Sequence, residues 1–269
     1  MASPSSPAAA RRIAAQVEAA LLATGTPERA TKEKAYLKSG LQFVGASVPA
    51  IDAVVRDALR DGPTIDHPGL VALVEALWER GIHECRMAAV EFLSRRASLL
   101  TVGDLPQLER LVRAAKTWAL VDGLAASVTG QIVERDPAGA SPVLDRWAGD
   151  DDFWVRRAAL LAELRPIRAG DPAAFARFTA RADPMLDERE FFIRKAIGWV
   201  LREAGKRMPG DVAAWLEPRT GRASGVTMRE AVKYLPAADA ARLMAAYREG
   251  PSRAPTADAV REAADPSAN

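Results

Sequence analysis

The sequence predicts an all-α fold built from stacked helical hairpins, and three observations predict it. Ala and Leu dominate a hydrophobic fraction of 49%; both are strong helix formers, whereas the β-favouring Ile, Thr and Tyr are scarce beside them. Apolar residues recur at helical spacing in stretches of about a dozen, separated by short breaks. Those breaks, Asp61-Gly62-Pro63, Asp136-Pro137, Gly170-Asp171-Pro172 and Met208-Pro209-Gly210, combine a turn former with a residue suited to start the next helix. Finally, similar helices recur along the chain, each with a polar residue leading an apolar run.

In chain order, residues 1–7 are polar and small and are expected to be disordered. Helical periodicity starts at about Pro7, and one continuous domain is expected over 8–249 because no separating linker is evident. The leading residues of the repeated helices are Arg86, Asp122, Arg157, Lys195 and Arg229, at intervals of 36, 35, 38 and 34. That period fits two helices and two turns, a unit that cannot bury its apolar stripe alone and so stacks on its neighbours. Equivalent positions should then share a surface, as four cations and one carboxylate suited to a polyanion, or else as ordinary solvated helix starts. The tail from Gly250 to Asn269 is rich in Pro, Ala, Ser and charge, and disorder is expected there too.

Composition removes several function classes. With 37 Lys+Arg against 35 Asp+Glu, any basic footprint must be local. Residues 1–10 lack the basic start and apolar core of a secretory signal, and no apolar run is long enough to span a membrane. The single cysteine, Cys85, is expected to be a small buried thiol, which fits a reducing cytoplasm. His67 and His83 lie in no cluster with metal-ligand spacing, and neither a phosphate loop nor a nucleophile elbow occurs. Tryptophan, carboxylate and arginine remain.

Of the six tryptophans, Trp78, Trp147 and Trp215 sit among aliphatic residues at helical spacing and are read as packing residues, while Trp154 is placed to brace Arg157. Trp118 and Asp122 are four apart, which puts ring and carboxylate on one helix face. On spacing alone Asp122 reads first as an N-cap or an ion-pair partner.

Three strings carry a resemblance: Phe191-Phe-Ile-Arg-Lys-Ala-Ile-Gly-Trp-Val-Leu-Arg-Glu203, Asp152-Phe-Trp-Val-Arg-Arg-Ala-Ala159 and Arg229-Glu-Ala-Val-Lys233. They resemble the signature helices of the DNA alkylation repair family, the AlkD-type HEAT-repeat glycosylases, over about Lys34 to Leu235. The resemblance implies a HEAT-like helical-repeat solenoid with a concave DNA-binding cleft. It also implies roles for Trp118, Asp122 and Trp199 in catalysis and for Arg157 in DNA binding. Tyr36 resembles an aromatic near the cleft. Arg156, Arg194, Lys195, Arg202 and Lys233 would join Arg157 on the phosphates of duplex DNA. Where the family often carries two tryptophans and an acid, this chain has Thr117-Trp118-Ala119.

The implied activity is a monofunctional DNA glycosylase that releases N3- or N7-alkylated purines, without a base-flipping pocket, cofactor or metal. It would work as a cytoplasmic, nucleoid-associated monomer. One carboxylate suffices because alkylation has already made the base a cationic leaving group, so no second carboxyl is needed as general acid. Two other readings remain open: a non-enzymatic binder of damaged or branched DNA, and a protein-binding α-solenoid.

Overall fold

The computed structural model describes residues 6–249. The segments expected to be disordered lie outside the described residues, apart from Ser6 and Pro7, which cap and open the first helix. Among the described residues the chain is helical without a strand, and a single bridge joins Gln42 to Ile82. No described helix is long and apolar enough to cross a membrane.

The residues form two compact units that divide between Val143 and Leu144. No linker marks this division, which falls inside a helix. The first unit contains α1 (Pro7–Thr24), α2 (Pro27–Leu37), α3 (Val48–Asp61), α4 (His67–Trp78), α5 (His83–Arg95), α6 (Leu105–Ala115), α7 (Trp118–Asp122) and α8 (Gly130–Arg135). A π-helical segment, Gly123–Thr129, joins the last two. α9 (Pro137–Ala148) holds the division. The second unit continues with α10 (Phe153–Leu161), α11 (Leu164–Ala169), α12 (Pro172–Met185), α13 (Phe191–Gly205), α14 (Pro209–Leu216), α15 (Gly225–Ala231) and α16 (Ala237–Glu249).

Local chemistry explains the helix starts. α1 to α4 each open with a side-chain cap, Ser6, Thr26, Ser47 or Asp66, followed by a proline in the first two positions. The cap satisfies an orphan N–H, worth about 1 kcal/mol, and proline occupies a place where no N–H is needed. In the second unit Gly170 ends α11 in the left-handed conformation, and Asp171 then caps α12 ahead of Pro172.

In the first unit α1 packs on α3 and α4, α4 on α5, and α5 on the π-helical segment. Leu21, Leu70, Leu73, Leu77 and Phe92 are fully buried there. α2 is different, because none of its residues is buried. Its anchorage is at the ends. Thr26 N donates to Gly45 O, while Val44 N and Gly45 N both donate to the buried Glu84 carboxylate. Gly45 has φ +79°, and a Cβ there would lie 2.1 Å from Thr26 O, so glycine is required at this crossing.

In the second unit α13 is the central helix, packing on α10, α11, α14 and α15. Within each unit, polar side chains reach across one repeat. His67 pairs with Asp104 in the first; Arg181 pairs with Asp145, Arg219 with Asp183 and Lys195 with Glu230 in the second. All these separations are close to the period read from the sequence.

Candidate functional site

Trp118 and Asp122 are placed by a sharp change of direction. Lys116 ends α6 in the left-handed conformation, Thr117 is extended, and Trp118 begins α7. Asp122 is the last residue of α7, immediately before the π-helical segment. Such wide turns are uncommon and concentrate at functional sites. Ring and carboxylate are both half-buried, so neither is sealed in the core. The reading of Asp122 as a helix-starting cap does not fit its place at the end of α7.

Tyr36 of α2 and Trp118 meet edge to face, with ring centres 5.9 Å apart and planes at 86°. The structure therefore brings together two of the residues that the resemblance implied. Beside them Thr117 is buried, and its Oγ1 has no hydrogen-bond partner. Arg86, the leading residue of α5, lies over the Trp78 ring at 4.9 Å and donates to the carbonyls of Trp78 and Ala114. Its role in the first unit is thus an internal one, and burial lowers its pKa from the ordinary value.

The leading positions keep their register. Asp122, Arg157, Lys195 and Arg229 are each the fifth residue of their helix, and Arg86 is the fourth of its own. Their environments differ. Arg157 is only 3% exposed and donates to Phe192 O at 2.6 Å, with its guanidinium 5.8 Å from the Phe192 ring centre. Trp154 packs on the same Phe192 ring, with ring centres 4.7 Å apart. Trp154 and Arg157 therefore share Phe192 as a neighbour.

Four of the other candidate cations of the second unit, Arg156, Lys195, Arg202 and Lys233, are held by carboxylates. Arg156 grips the Glu188 carboxylate through two of its nitrogens, Nε at 3.0 Å and NH2 at 2.8 Å, while Arg194 donates to the Glu188 backbone carbonyl. Glu230, 7% exposed, holds Lys195 at 3.3 Å, Lys233 at 3.0 Å and Arg202. Burial pushes the Glu230 carboxyl upward, but the bond from Lys233 and the charges of Lys195 and Arg202 outweigh it, so its pKa falls below the ordinary value. Glu203 is held similarly by Lys206 and Arg168. These carboxylates were missed from sequence. The signal was the 35-residue offset from Lys195 to Glu230, one repeat length.

Trp199 is half-buried on α13. Of the presumed packing tryptophans, Trp78 and Trp147 are buried, but Trp215 is half-exposed with the Arg219 guanidinium 4.7 Å over its ring. Cys85 is fully buried, and burial raises its thiol to about 12. Among the described residues no group of three or more His, Cys, Asp or Glu could hold a metal ion.

The family model described as DNA alkylation repair enzyme matches residues 17–235. The chain belongs to that family. A solved structure of a predicted DNA alkylation repair enzyme from Enterococcus faecalis is similar to this family member at 25% identity and a TM-score of 0.71, covering 80% of this chain and 98% of that one. AlkD2 from Streptococcus mutans is similar in fold, at 19% identity and a TM-score of 0.57 over 77% of this chain and 99% of its own. The smu.31 protein from Streptococcus mutans UA159 shares the fold at 19% identity and 0.54, over 68% and 91% of the two chains. No curated protein matches this alkylation repair family member.

Proposed function

We propose that this protein is a monofunctional DNA glycosylase that hydrolyses the N-glycosidic bond of cationic N3- or N7-alkylated purines in duplex DNA. The observation that carries this reading is the pairing of a half-buried carboxylate, Asp122, with the Trp118 ring on one short helix, backed by Tyr36.

The bond between C1′ and the purine nitrogen breaks with its electron pair going to the base, which leaves neutral. The positive charge passes to the deoxyribose. Asp122 stabilises that charge electrostatically and accepts the proton that water gives up as its oxygen bonds to C1′. The cation being cleaved supplies the leaving-group activation that a general acid would otherwise provide. The rings of Trp118 and Trp199 face the sugar-phosphate and the cationic base, a contact worth about 0.5–2 kcal/mol. Arg157, Tyr36, Arg156, Arg194, Lys195, Arg202 and Lys233 serve the backbone, fixing position without reading sequence. The nearest lysine in sequence to Asp122 is Lys116, six residues before it, and no lyase step is proposed.

The test is release of 7-methylguanine and 3-methyladenine from methylated duplex DNA, with and without EDTA. Wild-type release should survive EDTA, and Asp122→Asn should lose about 10²- to 10³-fold in single-turnover rate, the scale for removing one transition-state electrostatic contact. Duplex binding without any release would instead support a non-enzymatic binder.

A further inference from the structure

Helix α2 carries Tyr36 to the Trp118 ring, yet it is not sunk into the core along its length, because none of its residues is buried. Its two ends meet at one place. Gly25, just before α2, lies so close to the segment that follows the helix that a Cβ on it would stand 2.0 Å from Val44 O. Thr26, the cap of α2, donates its backbone N–H to Gly45 O. The entry and the exit of the helix thus cross at Val44 and Gly45.

That crossing is fixed in turn to the start of α5. Gln42 N donates to Gly81 O at 3.0 Å and His83 N to Gln42 O at 2.8 Å, while the Phe43 ring stacks on His83 with centres 4.5 Å apart. Glu84 is fully buried, and its carboxylate accepts from Gly45 N at 2.6 Å and from Val44 N at 3.1 Å. A charge taken out of water is costly unless donors meet it, and an N–H bond to a carboxylate is about twice as strong as a neutral one. The segment therefore has little freedom to drift from Glu84.

We propose that Glu84 is a positioning residue for the candidate site: by holding the crossing at Val44 and Gly45 it fixes both ends of α2, and so sets Tyr36 edge-on against Trp118. This rests on the reading of Tyr36 and Trp118 as residues that contact the damaged duplex. The coupling is short. Lys38 ends α2 in the left-handed conformation, and residues 39–41 alone separate it from the pinned segment. A shift at the crossing passes directly to the last turn of α2, where Tyr36 sits.

The experiment combines amide hydrogen exchange on the full chain with a double-mutant cycle. Glu84→Gln keeps the shape of the side chain but removes its charge. It should speed exchange of the α2 amides by about 10-fold, the scale on which hydrogen bonds to a charged group exceed neutral ones, and leave α4 at its wild-type rate. Tyr36→Ala should lower single-turnover release of 7-methylguanine by about 2- to 12-fold, the worth of one aromatic pair. Glu84→Gln should lower release within the same range, and in the Tyr36→Ala background it should lower it no further. Unchanged α2 exchange overturns the proposal, as does an equal speeding of α2 and α4, which would mean a general loss of stability. A Glu84→Gln drop that persists in full in the Tyr36→Ala background also overturns it, since the effect would not pass through Tyr36. If Glu84→Gln does not fold, Glu84→Asp keeps the charge but shortens its reach, and should speed α2 exchange alone by a smaller factor; no change there overturns the proposal. A wild type that releases no base would count against the glycosylase reading by itself; the exchange rates would still decide whether Glu84 holds α2, and the cycle would be read in duplex affinity.

Discussion

Arg157 and His83 show how far a residue's neighbours determine what its type can do. Arg157 was marked as a candidate by the resemblance of its Trp-x-x-Arg-Ala-Ala helix, but its burial and its bond to Phe192 O were not legible there. Those depend on a helix 35 residues away. Arg157→Ala should therefore lower stability as well as DNA affinity, by about 2–4 kcal/mol in a denaturant melt, because it removes the bond to Phe192 O and leaves a cavity where a nearly buried side chain packed. His83 stacks on Phe43 at 4.5 Å, and its Nδ1 has no hydrogen-bond partner. Burial, aided by the charge of Arg86, lowers its pKa to about 4. The unfolded chain thus binds a proton near pH 6.5 that the folded one refuses until about 4. Stability is full above the unfolded value and declines as pH falls through that window, by roughly 3 kcal/mol. His83→Phe should flatten this decline in thermal melts taken between pH 7 and 4; an unchanged slope would place the acid sensitivity elsewhere. The depressed carboxyls of Glu203 and Glu230 add a loss of the same sign at lower pH.

At the scale of elements, the helices were readable because their ends are encoded locally. A cap and a proline at the start, or a left-handed glycine at the end, need only a few neighbouring residues. The closeness of two helices is encoded less openly. Gly198 reads in the sequence as a weak point within a helical run, and only the packing of α15 on α13 explains it. Gly198→Ala should gain up to about 1 kcal/mol of helix propensity yet destabilise overall by about 1–2 kcal/mol, since its neighbours include the Thr227 backbone. A thermal melt showing net stabilisation would mean that α15 moves aside easily. α2 buries nothing and is held through its ends, by Thr26 at its start and the Tyr36–Trp118 contact near its finish. Its amides should exchange with solvent well ahead of those of α4 and α5 under native conditions, as expected for an element with few buried apolar contacts. Equal protection would show that its anchorage at Thr26 and Tyr36 is sufficient.

At the scale of the whole molecule, the helical-repeat class followed from composition, punctuation and period, and it is the class of the family. The division between Val143 and Leu144 had no sequence signal, because it falls in the middle of α9 rather than in a linker. The basic residues of the second unit were found but their pairing was not: sequence counts charges without saying which are neutralised. The most deeply buried example is Glu163, fully inaccessible, held by Arg181 at 2.7 Å and Arg177 at 2.9 Å, with Arg181 also on Asp145. Glu163→Ala would take a fully buried carboxylate partner from both Arg181 and Arg177 and should cost about 3–5 kcal/mol, read as a drop in the midpoint of denaturant unfolding. The one-repeat reach of these pairs has a consequence for how such a chain can change in length. A residue inserted in a surface turn between paired helices alters no partner's identity, but one inserted within a helix rotates every later position by about 100°. Lys195 would then no longer face Glu230, nor Arg157 the Phe192 carbonyl. Tolerance to insertions should therefore alternate along the sequence with the rhythm of the repeat, high at the Gly-Pro-Asp breaks and low within the helices that carry the paired cations.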